Sequence, residues 1–202
     1  MILKGFRFGM LLQLAIGPVC IFIFQLASTK GFMQGAAGVL GVVLIDGLFI
    51  MAATLGMASL IEKKNIKVLL RFIGAAILFL FGISTILGQF GIVLIPSFSV
   101  SGVSSANSAF ANTMILTASN PLTIIFWAGI FSAKITEENM KKSDVYSFGA
   151  SALLSSLFFL TLVAAAGAFI KNFLSDDIIV ILNIFVGFLL MFFGIRMVIK
   201  RV

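Results

Sequence analysis

Asp46 is the residue of this sequence whose type and position most clearly could do chemistry. It lies near the middle of the long apolar segment from Met33 to Ile61. Burying a carboxylate at the centre of an apolar layer such as a bilayer costs about 2.5–3.5 kcal/mol on insertion scales. Such a group can bind an ammonium group or exchange a proton, and the simpler interpretation is a hydrogen-bonded structural Asp.

Two prolines form the second candidate feature, because both fall inside apolar segments. Pro18 follows Gly17, and Pro121 follows Asn120. Proline lacks the N–H of a helical residue, so each position predicts a broken helix with one freed carbonyl. Each break also presents a helix N-terminus, whose partial positive charge suits a carboxylate, although a plain kink is the alternative. Polar neighbours that could complete a site, or could simply join two helices by hydrogen bonds, include Gln13, Thr117 and Thr123. The others are Gln25, Thr54, Thr113, Ser119 and Asn120.

The composition indicates where these residues must be positioned. The chain has 202 residues, of which 61% are hydrophobic and 10% charged, against roughly 25% charged residues in soluble domains. The bilayer is the solvent that accommodates this excess, which excludes a cytoplasmic enzyme, a secreted disulfide scaffold and a disordered chain. One cysteine, Cys20, and no histidine predict no metal site, and no phosphate-binding motif or cofactor motif is present.

Six apolar segments of about 20 residues or more divide the chain. Their length favours membrane-spanning helices over barrel strands, which are shorter and alternate in polarity. The sequence therefore predicts an all-α integral membrane protein with six transmembrane helices. The segments are Phe8–Ala27, Met33–Ile61, Leu69–Phe90, Phe110–Ala133, Val145–Ile170 and Ile178–Ile199.

Lysine and arginine are distributed unevenly between the two predicted sides. With the N-terminus inside, only Lys30 and Lys171 of the 14 basic residues lie outside. Cytoplasmic loops carry such an excess, so both termini are predicted to be cytoplasmic. The net charge of +7 is then a topology signal, and no nucleic-acid partner is expected.

The two halves of the chain resemble each other. Leu69–Ile83 matches Ile181–Ile195 at several positions, and the two proline breaks correspond as well. A repeated three-helix unit must reverse its orientation, which predicts two inverted repeats, residues 1–90 and residues 110–202. Residues 91–109 between them are predicted to be an uncharged, Ser-rich extracytoplasmic linker. Glycines of the second segment, spaced as Gly31, Gly35, Gly38 and Gly41, favour close helix packing.

Three motifs in order, IGPV (Ile16–Val19), GVVLID (Gly41–Asp46) and NPLTIIFW (Asn120–Trp127), resemble the LysE/RhtB group of the lysine exporter superfamily. The resemblance extends over nearly the whole chain. It implies a multi-pass protein of the bacterial cell membrane, surrounded by lipid and not an enzyme, that exports an amino acid or close derivative, with protons as the coupling ion.

Under this resemblance, alternating access would place the substrate carboxylate at the two breaks, with Gln13, Thr117 and Thr123 beside it. Asp46 would hold the substrate ammonium or carry the coupling proton, and both roles stay open. A homodimer is compatible with six short helices. The competing interpretations are a heavy-metal or other cation exporter of the same superfamily and a membrane scaffold without transport.

Overall fold

The computed structural model is helical over the residues it describes, and those residues contain no β-strand. It describes residues 1–14, 17–55, 64–92, 103–120, 123, 127, 140–171, 173 and 175–199. The predicted all-α class is confirmed. In chain order the helices are α1 (Ile2–Leu14), α2 (Pro18–Lys30), α3 (Phe32–Thr54), α4 (Lys64–Gly88), α5 (Ala106–Ala118), α6 (Lys142–Lys171) and α7 (Asp176–Ile199).

Several of these helices are long and apolar enough to cross a membrane. The stretches that meet this criterion alone are Phe32–Thr54, Ser143–Lys171 and Asp177–Arg196. The pair Ile2–Gln13 and Pro18–Lys30 meets it together, with an angle of 80° between its two helices. At 1.5 Å per residue the 23 residues of α3 rise about 35 Å, enough for a hydrocarbon core of about 30 Å.

The remaining predicted segments are described only in part. Phe72–Gly88 is the apolar stretch of α4 and is shorter than a full span. The fourth predicted segment coincides with α5 as far as Ala118, and most of its remainder lies outside the described residues. The total of six transmembrane helices, the inverted repeat and the side of each terminus therefore stay predictions.

The second half begins its first helix earlier than predicted. Helix α5 starts at Ala106 and not at Phe110, because Ser105 caps it. The Ser105 hydroxyl accepts a hydrogen bond from the N–H of Ser108 at 3.3 Å, and the Ser108 hydroxyl accepts one from the N–H of Ser105 at 3.0 Å. This reciprocal pair satisfies two backbone donors at the helix start. Residues 93–102 of the predicted linker lie outside the described residues.

The predicted break at Gly17-Pro18 is confirmed. Pro18 occupies the first turn of α2, where its missing N–H costs no helical hydrogen bond. Gly17 is extended, with φ −109° and ψ 171°, so the chain leaves α1 and restarts as a new helix. Pro121 lies outside the described residues, but α5 has already ended before it. A proline at position 121 leaves the Thr117 carbonyl, four residues earlier, without its helical donor. This carbonyl accepts the N–H of Asn120 at 3.1 Å instead.

Helix α3 has distinct outer and inner faces. Exposed side chains recur every three or four residues, which is the helical period of a face that meets lipid. The members of this face are Leu40, Leu44, Leu48 and Met51, and Leu55, directly after the helix, continues it. Asp46 is only 2% exposed and lies on the opposite face, between buried Val42 and Ile50. The helical period therefore turns the one carboxyl of this helix toward the protein interior.

Small residues allow the helices around α3 to approach closely. A Cβ on Gly41 would overlap the Phe110 carbonyl and the Thr113 hydroxyl of α5. The Thr113 hydroxyl lies 2.9 Å from the Gly38 carbonyl and donates a hydrogen bond to it. The packing role predicted for Gly38 and Gly41 is confirmed. Gly31 has another role: its φ of +97° makes the turn between α2 and α3, a conformation that favours glycine.

A cluster of polar side chains joins α2, the end of α4 and α7. The Asn183 carboxamide oxygen accepts hydrogen bonds from the Gln25 amide at 2.9 Å and the Thr29 hydroxyl at 3.2 Å. Its amide donates to Gln89, which follows α4, at 3.1 Å. Both Gln25 and Asn183 are buried, so this residue of α7 fixes α2 and the end of α4 relative to each other.

Candidate functional site

A cavity of about 420 Å³ lies between the broken helix pair α1–α2, α3, α6 and α7. This volume is near the lower end of the range of small-molecule sites, about 300–1,000 Å³, and suits one small solute. Polar and apolar side chains both face it. Its lining residues are Leu12, Gln13, Gly17, Val19, Cys20, Val42, Asp46, Asn120, Thr123, Trp127, Leu160, Phe193 and Arg196.

The Asp46 carboxyl is held in the cavity wall by three side chains from distant parts of the sequence. Trp127, Ser156 and Gln13 donate hydrogen bonds to it. The Gln13 amide also donates to the Ser156 hydroxyl at 2.6 Å, so the donors support one another. Buried polar groups persist when they are hydrogen-bonded in this way. The carboxyl is thus fixed in position while remaining in contact with the cavity.

The start of α2 forms another part of the wall. Gly17, Val19 and Cys20 all line the cavity. The first N–H groups of a helix have no partner within the helix, and no side chain of the described residues caps this one. The Ile21 N–H closes the first turn on the Gly17 carbonyl at 3.3 Å. The cavity therefore meets the positive end of a helix dipole, as the proline at position 18 predicts.

The other predicted site residues differ in where they lie relative to the cavity. Asn120 and Thr123 line the cavity together with Gln13 and Asp46. Pro18 is buried at the start of α2, where it shapes the wall through the backbone. Thr117 is fully buried and does not line the cavity, and its hydroxyl has no hydrogen-bond partner among the described residues. Pro121 lies outside the described residues.

Several lining residues are not evident from the sequence. Arg196 is one of the basic residues assigned there to the inner membrane boundary, yet it lines the cavity. Trp127, the last residue of the third motif, is 3% exposed and hydrogen-bonded to Asp46. Ser156 reaches the same carboxyl from α6. Only an unusual Ser155-Ser156 pair within an apolar helix hinted at a polar contact there.

Apolar side chains complete the wall. Leu12, Val42, Leu160 and Phe193 come from four different helices and surround the polar groups. Among the described residues no group of three or more His, Cys, Asp or Glu side chains is placed to hold a metal ion. The arrangement can therefore bind a small solute that presents both charged groups and an apolar surface.

These features define a helical membrane protein with a polar cavity in its interior. The chain belongs to the LysE type translocator family, whose model matches residues 10–201. The predicted resemblance to this superfamily is thereby confirmed, and membership of a translocator family indicates a transporter of a small molecule rather than an enzyme.

Curated relatives agree with the family match. The chain is 27% identical over 190 residues to "Putative amino acid efflux protein YcgF" of Bacillus subtilis (strain 168), covering 92% of this chain and 89% of that protein. It is 27% identical over 192 residues to the uncharacterized membrane protein slr1627 of Synechocystis, covering 88% and 92% respectively. It is also 26% identical over 118 residues to the uncharacterized membrane protein PA4757 of Pseudomonas aeruginosa, covering 57% and 55%. No solved structure matches the chain.

Proposed function

We propose that this protein is a secondary-active exporter of an amino acid, driven by the proton gradient across the bacterial cell membrane. The observation that carries the proposal is the buried Asp46 carboxyl in a cavity that also contains the start of α2. An amino acid is a zwitterion, and these two features offer a negative and a positive partner within one small space. The relative named for amino acid efflux supports the same substrate class.

The broken helix supports a transport role for the cavity. In transporters, substrate sites commonly lie near the bilayer midplane, where interrupted helices expose backbone groups to the solute. The carboxylate of the amino acid binds at Gly17-Pro18 and at the end of α5, near Asn120. Two inverted three-helix halves, residues 1–90 and 110–202, then move against each other and expose the cavity to one side at a time, with both termini in the cytoplasm.

Asp46 has one of two roles in this mechanism, and both require the same buried carboxyl. It binds the substrate ammonium directly, or it carries the proton whose movement drives export. The hydrogen bonds from Trp127, Ser156 and Gln13 hold it in place for either role. Removing one partner of a buried charge pair costs about 2–5 kcal/mol. If Asp46 binds the ammonium group, its loss therefore lowers the affinity for the substrate about 30-fold or more.

Transport by purified protein in proteoliposomes tests the proposal with Asp46→Asn. The matched control is Asp177→Asn, which removes an exposed carboxylate that does not line the cavity. Two assays are compared for a panel of labelled amino acids: movement driven by an imposed pH gradient, and exchange of labelled for unlabelled substrate without a gradient. Cadmium movement is measured in parallel for the cation-export alternative.

The two assays separate the roles of the carboxyl. Loss of both activities in Asp46→Asn assigns it to ammonium binding, and loss of gradient-driven movement alone assigns it to the proton. Full activity of this variant in both assays would contradict the role of Asp46. Movement of cadmium, and of no amino acid, by the wild-type protein would contradict amino acid export.

A further inference from the structure

The cavity is lined by one acidic and one basic side chain, which differ in exposure. Asp46 and Arg196 are the charged side chains among the described residues that line it. Asp46 is buried, whereas Arg196, near the end of α7, is exposed. The cavity thus has one carboxyl at a buried position and one guanidinium group at an exposed position. A solute that matches this pattern has one group of each sign and no net charge.

We propose that the substrate is an amino acid with an uncharged, apolar side chain, and that Arg196 binds its α-carboxylate together with the start of α2. The proposal rests on the proposed export function and specifies the substrate class and one further binding residue. A guanidinium group has a planar pair of N–H donors that fits a carboxylate with two parallel hydrogen bonds. It supplies a full charge, whereas a helix N-terminus such as that of α2 supplies about half a charge.

The apolar part of the wall selects the side chain of the substrate. Leu12, Val42, Leu160 and Phe193 offer hydrocarbon surface around the charged pair. The side chain of leucine, methionine or valine gains by leaving water for such a surface. The second charge of lysine or glutamate finds no further charged partner among the described lining residues. Burying an unpaired charge is strongly unfavourable, so lysine and glutamate should bind about a hundredfold more weakly than leucine or methionine.

The volume sets an upper limit on the solute. A cavity of about 420 Å³ accommodates one amino acid with a side chain of ordinary size. The two charged residues then orient this solute, with the ammonium group toward buried Asp46 and the carboxylate toward exposed Arg196. The apolar side chain occupies the space between the helices that carry Leu160 and Phe193.

Substrate exchange in proteoliposomes tests this assignment without relying on proton coupling. Proteoliposomes that contain the wild-type protein are loaded with an unlabelled amino acid. Exchange is then measured with labelled leucine, methionine, lysine and glutamate. Two leucine analogues are added: 3-methylbutylamine, which lacks the carboxylate, and 4-methylpentanoate, which lacks the ammonium group. We expect leucine and methionine to exchange about a hundredfold more efficiently than lysine or glutamate, and both analogues to compete poorly.

Two variants and a matched control test Arg196 itself. Arg196→Gln should raise the half-saturating leucine concentration about tenfold or more, and should reduce the preference for leucine over 3-methylbutylamine. Arg196→Lys keeps the charge and should recover part of this preference. The matched control, Arg7→Gln, removes an exposed helical arginine that does not line the cavity, and should change neither quantity. A merely structural role of Arg196 would not alter the preference between the two ligands.

The outcomes distinguish this proposal from the proposed export function. If the wild-type protein exchanges no amino acid, export itself is contradicted. If it exchanges amino acids but prefers lysine or glutamate, export stands and the apolar substrate class is wrong. If Arg196→Gln folds as a monodisperse protein and keeps the wild-type preference for leucine over 3-methylbutylamine, Arg196 does not bind the carboxylate.

Discussion

Gly41 offers the sharpest test of how this bundle positions its cavity. It lies on α3, five residues before Asp46, where α3 meets α5. A methyl group added by Gly41→Ala would lie 2.5 Å from the Phe110 carbonyl oxygen and 3.3 Å from its carbonyl carbon. Ordinary contacts of a Cβ begin at 3.4 Å, so the two helices must separate by about 1 Å. The methyl would also displace the Thr113 hydroxyl, which donates to the Gly38 carbonyl.

The expected cost follows from these contacts. Overpacking of this kind costs about 1–3 kcal/mol, and the hydrogen bond of Thr113 contributes about 1 kcal/mol more. The higher helix propensity of alanine offsets about 1 kcal/mol. The net loss of about 1–3 kcal/mol lowers the melting temperature by roughly 2–12 °C for a chain of about this length. Export also falls, because α3 carries Asp46 and α5 leads to Asn120.

Gly47→Ala is the matched control on the same helix. Its new methyl would meet only the Leu153 methyl groups, at 3.4 and 3.8 Å, which are ordinary contacts. This variant should melt at the wild-type temperature or slightly above it, because it gains helix propensity. Melting of both variants is measured by thermal unfolding in detergent, and export in proteoliposomes. Equal melting temperatures of the two variants would refute the packing argument at Gly41.

Two further predictions concern the polar cluster and the cavity thiol. Asn183→Leu should destabilise the protein by about 1–3 kcal/mol, because it removes the partner of the buried Gln25 amide. The control Ile181→Leu, at a position 66% exposed on the same helix, should leave the stability unchanged. Cys20, the one cysteine of the chain, lines the cavity. A small methanethiosulfonate reagent should therefore label it, about tenfold more slowly at saturating substrate than without substrate, because the cavity is then occupied.

Thermal unfolding and mass spectrometry decide these two predictions. Unchanged stability of Asn183→Leu would show that the cluster does not hold α2 against α7. Labelling of Cys20 at the same rate with and without the best-exchanged amino acid would place the substrate elsewhere. Cys20→Ser, which removes the thiol, provides the blank for the labelling experiment.

The local features of the site were predictable from the sequence because their causes are local. A proline without an N–H breaks a helix wherever it falls, and Pro18 begins α2 as expected. The period of apolar residues in α3 places Asp46 opposite the exposed Leu44 and Leu48. The close approach at Gly38 and Gly41 follows from the spacing of small residues along one helix.

The start of α5 shows where this kind of prediction loses precision. The apolar pattern placed the start of that segment at Phe110, whereas the Ser105–Ser108 pair begins the helix at Ala106. A helix start depends on which side chain satisfies its first N–H groups, and the apolar pattern is silent on that choice. The capping residues are present in the sequence, so the start at Ala106 has a local cause.

The sequence by itself determined that this chain is a helical membrane protein of the LysE type, with one deep carboxyl and a broken first helix. These properties depend on composition, on covalent constraints and on short motifs. Only the tertiary structure decided which side chains meet. Gln13 and Ser156, 143 residues apart, become hydrogen-bonded beside Asp46, and Arg196 becomes a cavity residue instead of a boundary charge. The rotation and register of each helix in the bundle set these contacts, and both arise from packing between helices that no single segment encodes.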